Sequence, residues 1–78
     1  MIPVIVDARG HRCPVPSLRL RKALETAPAG VVVVLLADDP MARIDVPHLL
    51  GSGPHRLAAV EEADGALRFS VETGGPQD

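Results

Sequence analysis

Aromatic residues are almost missing from this chain: it has no Trp, no Tyr and one Phe, Phe69. Its core must therefore be aliphatic, drawn from an apolar fraction of 46% that is mostly Val, Leu, Ile and Ala. Cysteine is as scarce. A lone thiol, Cys13, forms neither an internal disulfide nor a Cys-x-x-Cys pair, which excludes the disulfide scaffolds of small secreted domains and suits a reducing, cytoplasmic setting. Long apolar runs are lacking too. The longest, Val31 to Ala37, is far short of the roughly 20 residues that span a bilayer, so no membrane partner is expected. The opening residues, Met-Ile-Pro-Val-Ile-Val-Asp, have no basic n-region and no small-residue cleavage site of a signal peptide. Size excludes more. At 78 residues and 8.2 kDa, area scaling gives a folded surface of roughly 4,500 Å² against about 11,900 Å² unfolded, the marginal end for one domain. A dinucleotide-binding domain, a kinase lobe or a barrel with a deep pocket does not fit, so any chemistry sits on a surface or in a shallow groove.

Charge is present but unevenly placed. The net charge of −2 and a pI near 5.8 argue against direct nucleic-acid binding. Yet five of the eight basic residues, Arg9, Arg12, Arg19, Arg21 and Lys22, fall between positions 9 and 22, where there is no acid. From Ala23 onward three bases face nine acids. Cys13 lies inside the basic third.

Pro and Gly divide the chain into short elements. Ile2 to Val6 is β-branched apart from Pro3, which suits a strand start or an edge. Asp7 to Arg12 is a polar loop whose Gly10 is free to take positive φ. A helix is expected from Cys13: Pro14 suits the first helical position, and Pro16 still lies in the first turn, where amides have no intrahelical partner. Ser17, Leu20, Ala23, Leu24 and Ala27 then recur three and four apart, and Pro28 and Gly30 end the helix. Val31 to Ala37 reads as a central strand. Asp38-Asp39-Pro40 and Asp45-Val46-Pro47 each read as an Asp cap followed by Pro, predicting a single turn over 40–44 and a short helix over 46–52. Arg56 to Glu62 and Ala66 to Glu72 flank Ala63-Asp64-Gly65, a strong hairpin signal, and the tail 74–78 is expected to be disordered. The order βαβαββ predicts an α/β (α+β) two-layer sandwich, with two helices packed on one face of a four-stranded mixed sheet and residues 1–73 as one domain.

A cysteine between Arg12 and Pro14 at a helix start is placed where negative charge is favoured. Helix N-terminal amides and nearby guanidinium groups both stabilise a thiolate, and Arg9 and Arg12 precede the sulfur. Pro14 and Pro16 stiffen the turn that holds it, and Gly10 shapes the loop before it. With no second cysteine to resolve a disulfide and no cleft for a cysteine-protease mechanism, a lone exposed thiolate is left to accept a group and hand it on. Sulfane sulfur suits this, since its transfer is thiolate attack on a sulfur atom and needs no oxyanion hole. The competing reading is a buried cysteine acting as a small hydrophobe.

At these residues the chain resembles a known family. Asp7-Ala8-Arg9-Gly10-His11-Arg12-Cys13-Pro14-Val15-Pro16, followed by Leu18 and Arg21-Lys22-Ala23-Leu24, resembles the TusA/SirA family of small sulfur-carrier proteins, whose hallmark is Cys-Pro-x-Pro at the start of the first helix. The likeness continues through Ala37-Asp38-Asp39-Pro40, Asp45-Val46-Pro47 and Asp64-Gly65, spanning residues 3–72. It implies the same two-layer fold, and a Cys13 that takes persulfide sulfur from a cysteine desulfurase or rhodanese-like donor and passes it to a further acceptor protein. Family members serve tRNA thiolation, sulfur oxidation, molybdenum-cofactor enzymes or selenium metabolism. Two positions depart from the family pattern: His11 stands where leucine is common, and His48-Leu49-Leu50 stands where some relatives carry a second cysteine.

Other constellations are weaker. Arg19, Arg21 and Lys22 form either a solvated helix face or a docking patch for an acidic partner. His11 is a loop residue or a donor to a persulfide. Asp38, Asp39, Asp45, His48 and His55 can be drawn as a metal site, but Asp39 and Asp45 are better explained as caps, so neither a metal nor an organic cofactor is expected. The alternative function is a regulatory or adaptor module that binds a protein partner through the basic first helix without sulfur chemistry.

Overall fold

The computed structural model describes residues 3–12, 15–51 and 53–74. Cys13, Pro14, Ile2 and the tail residues 75–78, all named above, lie outside the described residues. The elements run β1 (Val4–Asp7), α1 (Val15–Thr26), β2 (Val32–Ala37), α2 (Ala42–Leu50), β3 (Arg56–Ala63) and β4 (Ala66–Glu72). The expected βαβαββ order and four-stranded mixed sheet are both present, with strand order β1-β2-β4-β3. The β1 strand lies parallel to β2, pairing Val4 with Val33 and Asp7 with Leu36, while β4 runs antiparallel to both β2 and β3.

One face of the sheet makes the core. Because side chains alternate along a strand, Val33, Leu35 and Ala37 of β2 point the same way as Leu67, Phe69 and Val71 of β4. These six join Leu20 and Leu24 of α1 and Ala42, Val46 and Leu50 of α2 in a single buried cluster, so both helices cover the same face. In α1 the buried residues Pro16, Leu20 and Leu24 are four apart, and in α2 so are Ala42, Val46 and Leu50; each helix buries one narrow stripe. Phe69 is completely buried and pairs with Leu35 across the strands, placing the only aromatic ring at the centre of the slab.

The second helix differs from the expected turn and short helix. It is continuous over Ala42–Leu50, with Pro47 inside it and Asp45 in its first turn rather than at a cap. The amides of Ala42, Arg43 and Ile44 bond three residues back, to the carbonyls of Asp39, Pro40 and Met41, and Asp45 N reaches four back, to Met41. Pro47, exposed, removes one ladder bond near this start. The stripe Ala42–Val46–Leu50 brackets it and is buried, and that burial holds the backbone helical through the proline.

Turn chemistry closes the rest. Asp64 and Gly65 have φ of 53° and 77°, the two positive values a two-residue hairpin loop requires, and Ala63 pairs with Ala66 across them. At the far end Thr73, buried, is an anchor with no local sequence signal. Its Oγ1 accepts from Val31 N at 2.9 Å and lies 2.7 Å from Pro28 O and 2.9 Å from Val31 O, as a donor. Thr73 thus ties the end of β4 to the connection between α1 and β2.

Candidate functional site

The site grows from the carboxyl ends of the parallel pair β1 and β2, where open α/β sheets leave a crevice. The chain leaves β1 through Ala8, which is fully buried and whose amide extends the ladder to Leu36 O at 2.8 Å. It then turns over Ala8-Arg9-Gly10-His11, closed by His11 N donating to Ala8 O at 3.3 Å. Gly10 is the third residue of this turn with φ of 84°, the value a type II turn demands there. A Cβ at Gly10 would meet nothing within 4 Å, so glycine is needed for its backbone and not for space.

Two carboxylates hold this loop. Asp7, the last residue of β1, accepts from Arg9 N at 3.1 Å and takes the Arg9 guanidinium in a fork, Nε to Oδ1 at 2.9 Å and Nη2 to Oδ2 at 2.8 Å. The guanidinium hydrogen bonds, then the Arg9 amide, hold the Asp7 carboxyl down from 3.8 to about 2, and the pairing raises Arg9 in turn. Asp38, the first residue after β2, receives the Gly10 amide on both oxygens, each at 3.0 Å. The loop before Cys13 is therefore tied to each of the two parallel strands.

The sequence-selected residues separate into distinct places. Arg9 is committed to Asp7 and brings little net charge forward. Arg12 and His11 are exposed and, with Gly10, Asp38, Asp39 and Pro40, line an open concavity of about 400 Å³. Arg12 makes no ion pair among the described residues, and its carbonyl accepts from Val15 N at 2.9 Å, leading into α1. Pro16 is fully buried and pins the first turn of α1 to the core. Cys13 and Pro14, between Arg12 and Val15 in the chain, lie outside the described residues.

The three helix cations do not gather into one patch. Arg19 turns back to β1, its Nη1 donating to Asp7 O at 3.2 Å. Arg21 lies 3.9 Å from Glu25 and faces the groove toward Leu49, Leu50 and His55, while Lys22 is exposed on the outer surface. Residues two apart on a helix point to nearly opposite sides. Among the described residues, no three His, Asp or Glu side chains come together as metal ligands: Asp39 accepts from Met41 N at 3.0 Å, and His55 Nδ1 accepts from Gly74 N at 3.2 Å. No helix is long and apolar enough to cross a membrane.

With this geometry in view, comparison with known proteins is decisive. The family described as sulfurtransferase TusA has a model that matches residues 4–73, from the start of β1 to Thr73. The chain belongs to the TusA family. A relative from Archaeoglobus fulgidus named "Putative sulfur carrier protein" is 43% identical over 68 residues, covering 86% of this chain and 88% of the relative. The crystal structure of a SirA-like protein from Desulfitobacterium hafniense superposes with a TM-score of 0.78 at 29% identity, covering 91% of this chain and 97% of that one.

Sequence reasoning missed the structural work of Asp7 and Asp38 in this TusA-family loop. Asp7 had a local signal, an Asp two residues before the amide it accepts, as in an Asx turn. Asp38 stands 28 residues from Gly10, and its only clue was its place at the carboxyl end of a strand.

Proposed function

We propose that this protein is a sulfur carrier, a sulfurtransferase-type relay, in which Cys13 accepts sulfane sulfur as a persulfide and delivers it to an acceptor protein. One observation carries the reading: Cys13-Pro14-Val15-Pro16 joins a loop tied to both parallel strands to the first turn of α1, inside the family-matched segment. The name of the Archaeoglobus relative supports it.

In the first transfer the Cys13 thiolate attacks the outer sulfur of a donor persulfide. The donor's S–S bond breaks, the donor leaves as a thiolate, and the new S–S bond belongs to Cys13. In the second transfer an acceptor thiolate attacks that outer sulfur and Cys13 leaves as the thiolate. Each step exchanges one S–S bond for another, so no electron or external redox partner is consumed. The donor is a cysteine desulfurase or a rhodanese-like protein, which fits a reducing, cytoplasmic setting for the lone thiol.

Arg12, exposed at the concavity, is the guanidinium that meets the anionic persulfide. Arg9, Gly10, Pro14 and Pro16 shape and hold the segment, while Arg19, Arg21 and Lys22 contribute positive potential for docking. Thiol alkylation of the native protein at mildly acidic pH tests the reading. Fast modification, with a Cys13→Ser variant that folds like the parent, is the expected result. Reaction only after denaturation removes the carrier. If Cys13→Ser is silent in function while charge reversal at Arg21 and Lys22 abolishes it, the protein is an adaptor instead.

A further inference from the structure

We infer that Asp38 is a positioning residue for sulfur transfer at Cys13, an inference that rests on the carrier reading above. Gly10 occupies the third position of a type II turn, where its amide points away from the bond that closes the turn. The amide is left to solvent or to an acceptor outside the turn, and Asp38 takes it with both carboxylate oxygens at 3.0 Å. The acceptor comes from the central strand. Asp38 directly follows Ala37, which is fully buried in the core cluster, so the carboxylate is mounted on the fixed end of an inner strand. Gly10 is three residues before Cys13, and the link therefore passes the fixed position of β2 to the segment that bears the thiol.

Electrostatics alone argues against a carboxylate here. Asp38 lines the same concavity as His11 and Arg12, the residues that lead into Cys13 in the chain, and a negative charge on that approach works against an anionic sulfur reaction. An acid that works against the charge of its own reaction, and is instead used as a double acceptor for a loop amide, is explained by geometry. The tie is also exposed and lies outside the buried cluster. Its loss releases the loop from β2, leaving the Asp7 tie to β1, without opening the core. The consequence falls on the reaction between two proteins, in which the Cys13 sulfur must meet the outer sulfur of the donor persulfide in line. It falls little on a small reagent that approaches from any direction.

The experiment compares Asp38→Ala, Asp38→Asn and the parent in two reactions: sulfur uptake from a cysteine desulfurase supplied with free cysteine, followed by intact mass, and alkylation by iodoacetamide across pH. Asp38→Ala is expected to take up sulfur about tenfold more slowly while its alkylation rate stays within about twofold of the parent or rises at low pH. Asp38→Asn keeps one amide acceptor for Gly10 and is expected to recover most of the uptake rate, with melting temperatures of all three close together. Uptake by Asp38→Ala at the parental rate overturns the positioning role while leaving the carrier intact. Equal impairment of the Ala and Asn variants also overturns it, since charge would then be the cause. A parent that takes up no sulfur overturns the carrier reading and this role with it.

Discussion

Replacing Thr73 by Val keeps the shape of the side chain and removes only its hydroxyl, which makes the cost calculable. In the native protein Oγ1 accepts from Val31 N at 2.9 Å and donates most closely to Pro28 O at 2.7 Å. Val31 O keeps a second partner, the Thr73 amide at 3.0 Å, so it is not orphaned by the change. Val31 N is: it loses its acceptor in a buried place. An unsatisfied buried donor costs about 1–3 kcal/mol, and the lost bond to Pro28 adds about 0.5–1.5 kcal/mol. The extra methyl recovers part of that, leaving about 2–3 kcal/mol. A chain of this length has a total stability of about 4–12 kcal/mol, so the loss is a large fraction. With an unfolding entropy of about 0.16 kcal/mol/K, it lowers the melting temperature by about 12–18 °C. Thermal unfolding followed by circular dichroism measures this. Thr73→Ser, which keeps the hydroxyl and gives up a methyl worth about 0.8 kcal/mol, is expected to fall by only about 5 °C. Equal falls for Val and Ser refute the hydroxyl argument, because packing would then account for both. The Val variant, below its melting point, is expected to take up sulfur at the parental rate, since Thr73 anchors the α1–β2 connection and not the loop before Cys13.

Four further outcomes follow from the loop. Asp7 is held down to about 2 in the folded protein, so its contribution is present above its ordinary 3.8 and is lost as pH falls from there toward 2. Asp7→Asn is therefore expected to flatten the acid side of the urea-midpoint profile in that window, and an unchanged slope contradicts the Arg9 pairing. Arg12→Ala is expected to slow sulfur uptake several-fold and to reduce alkylation at mildly acidic pH, because a guanidinium next to the cysteine in sequence favours the thiolate. Arg9→Ala should move the acid limb more than the alkylation rate, and the reverse ranking refutes the division of labour between the two guanidinium groups. Gly10→Ala, which places a side chain at φ of 84° without any contact within 4 Å, is expected to cost about 1–2 kcal/mol of backbone strain in urea unfolding. No loss there would mean that the turn readily adopts another form.

The order of elements was readable because its punctuation is explicit. Pro28 and Gly30 close the first helix, Asp64-Gly65 makes the hairpin, and the β-branched run ahead of Ala37 marks the central strand. The second helix was misread at Pro47 because a local breaker is visible in sequence, whereas the buried stripe that overrides it needs the sheet to be in place. The same distinction holds at the site. Cys13 and its neighbouring prolines are a contiguous motif, and motifs survive the loss of the third dimension. The pairing of Arg9 with the Asp7 carboxylate, and the turn of Arg19 back to the Asp7 carbonyl, break up a patch that charge counting had made look continuous. Asp38 and Thr73 bond to groups 28 and 42 residues away, and such partners follow from topology rather than from any local pattern.

The central claim is that the transferred sulfur rides on Cys13. The protein is loaded from a competent desulfurase, separated from the donor, alkylated without reductant and digested, and the peptide bearing Cys13 is weighed and fragmented. One extra sulfur is expected between the Cys13 sulfur and the alkyl group, removed by prior thiol treatment and absent from Cys13→Ser. A Cys13 peptide that carries the alkyl group alone, under conditions where the donor charges another carrier, contradicts it.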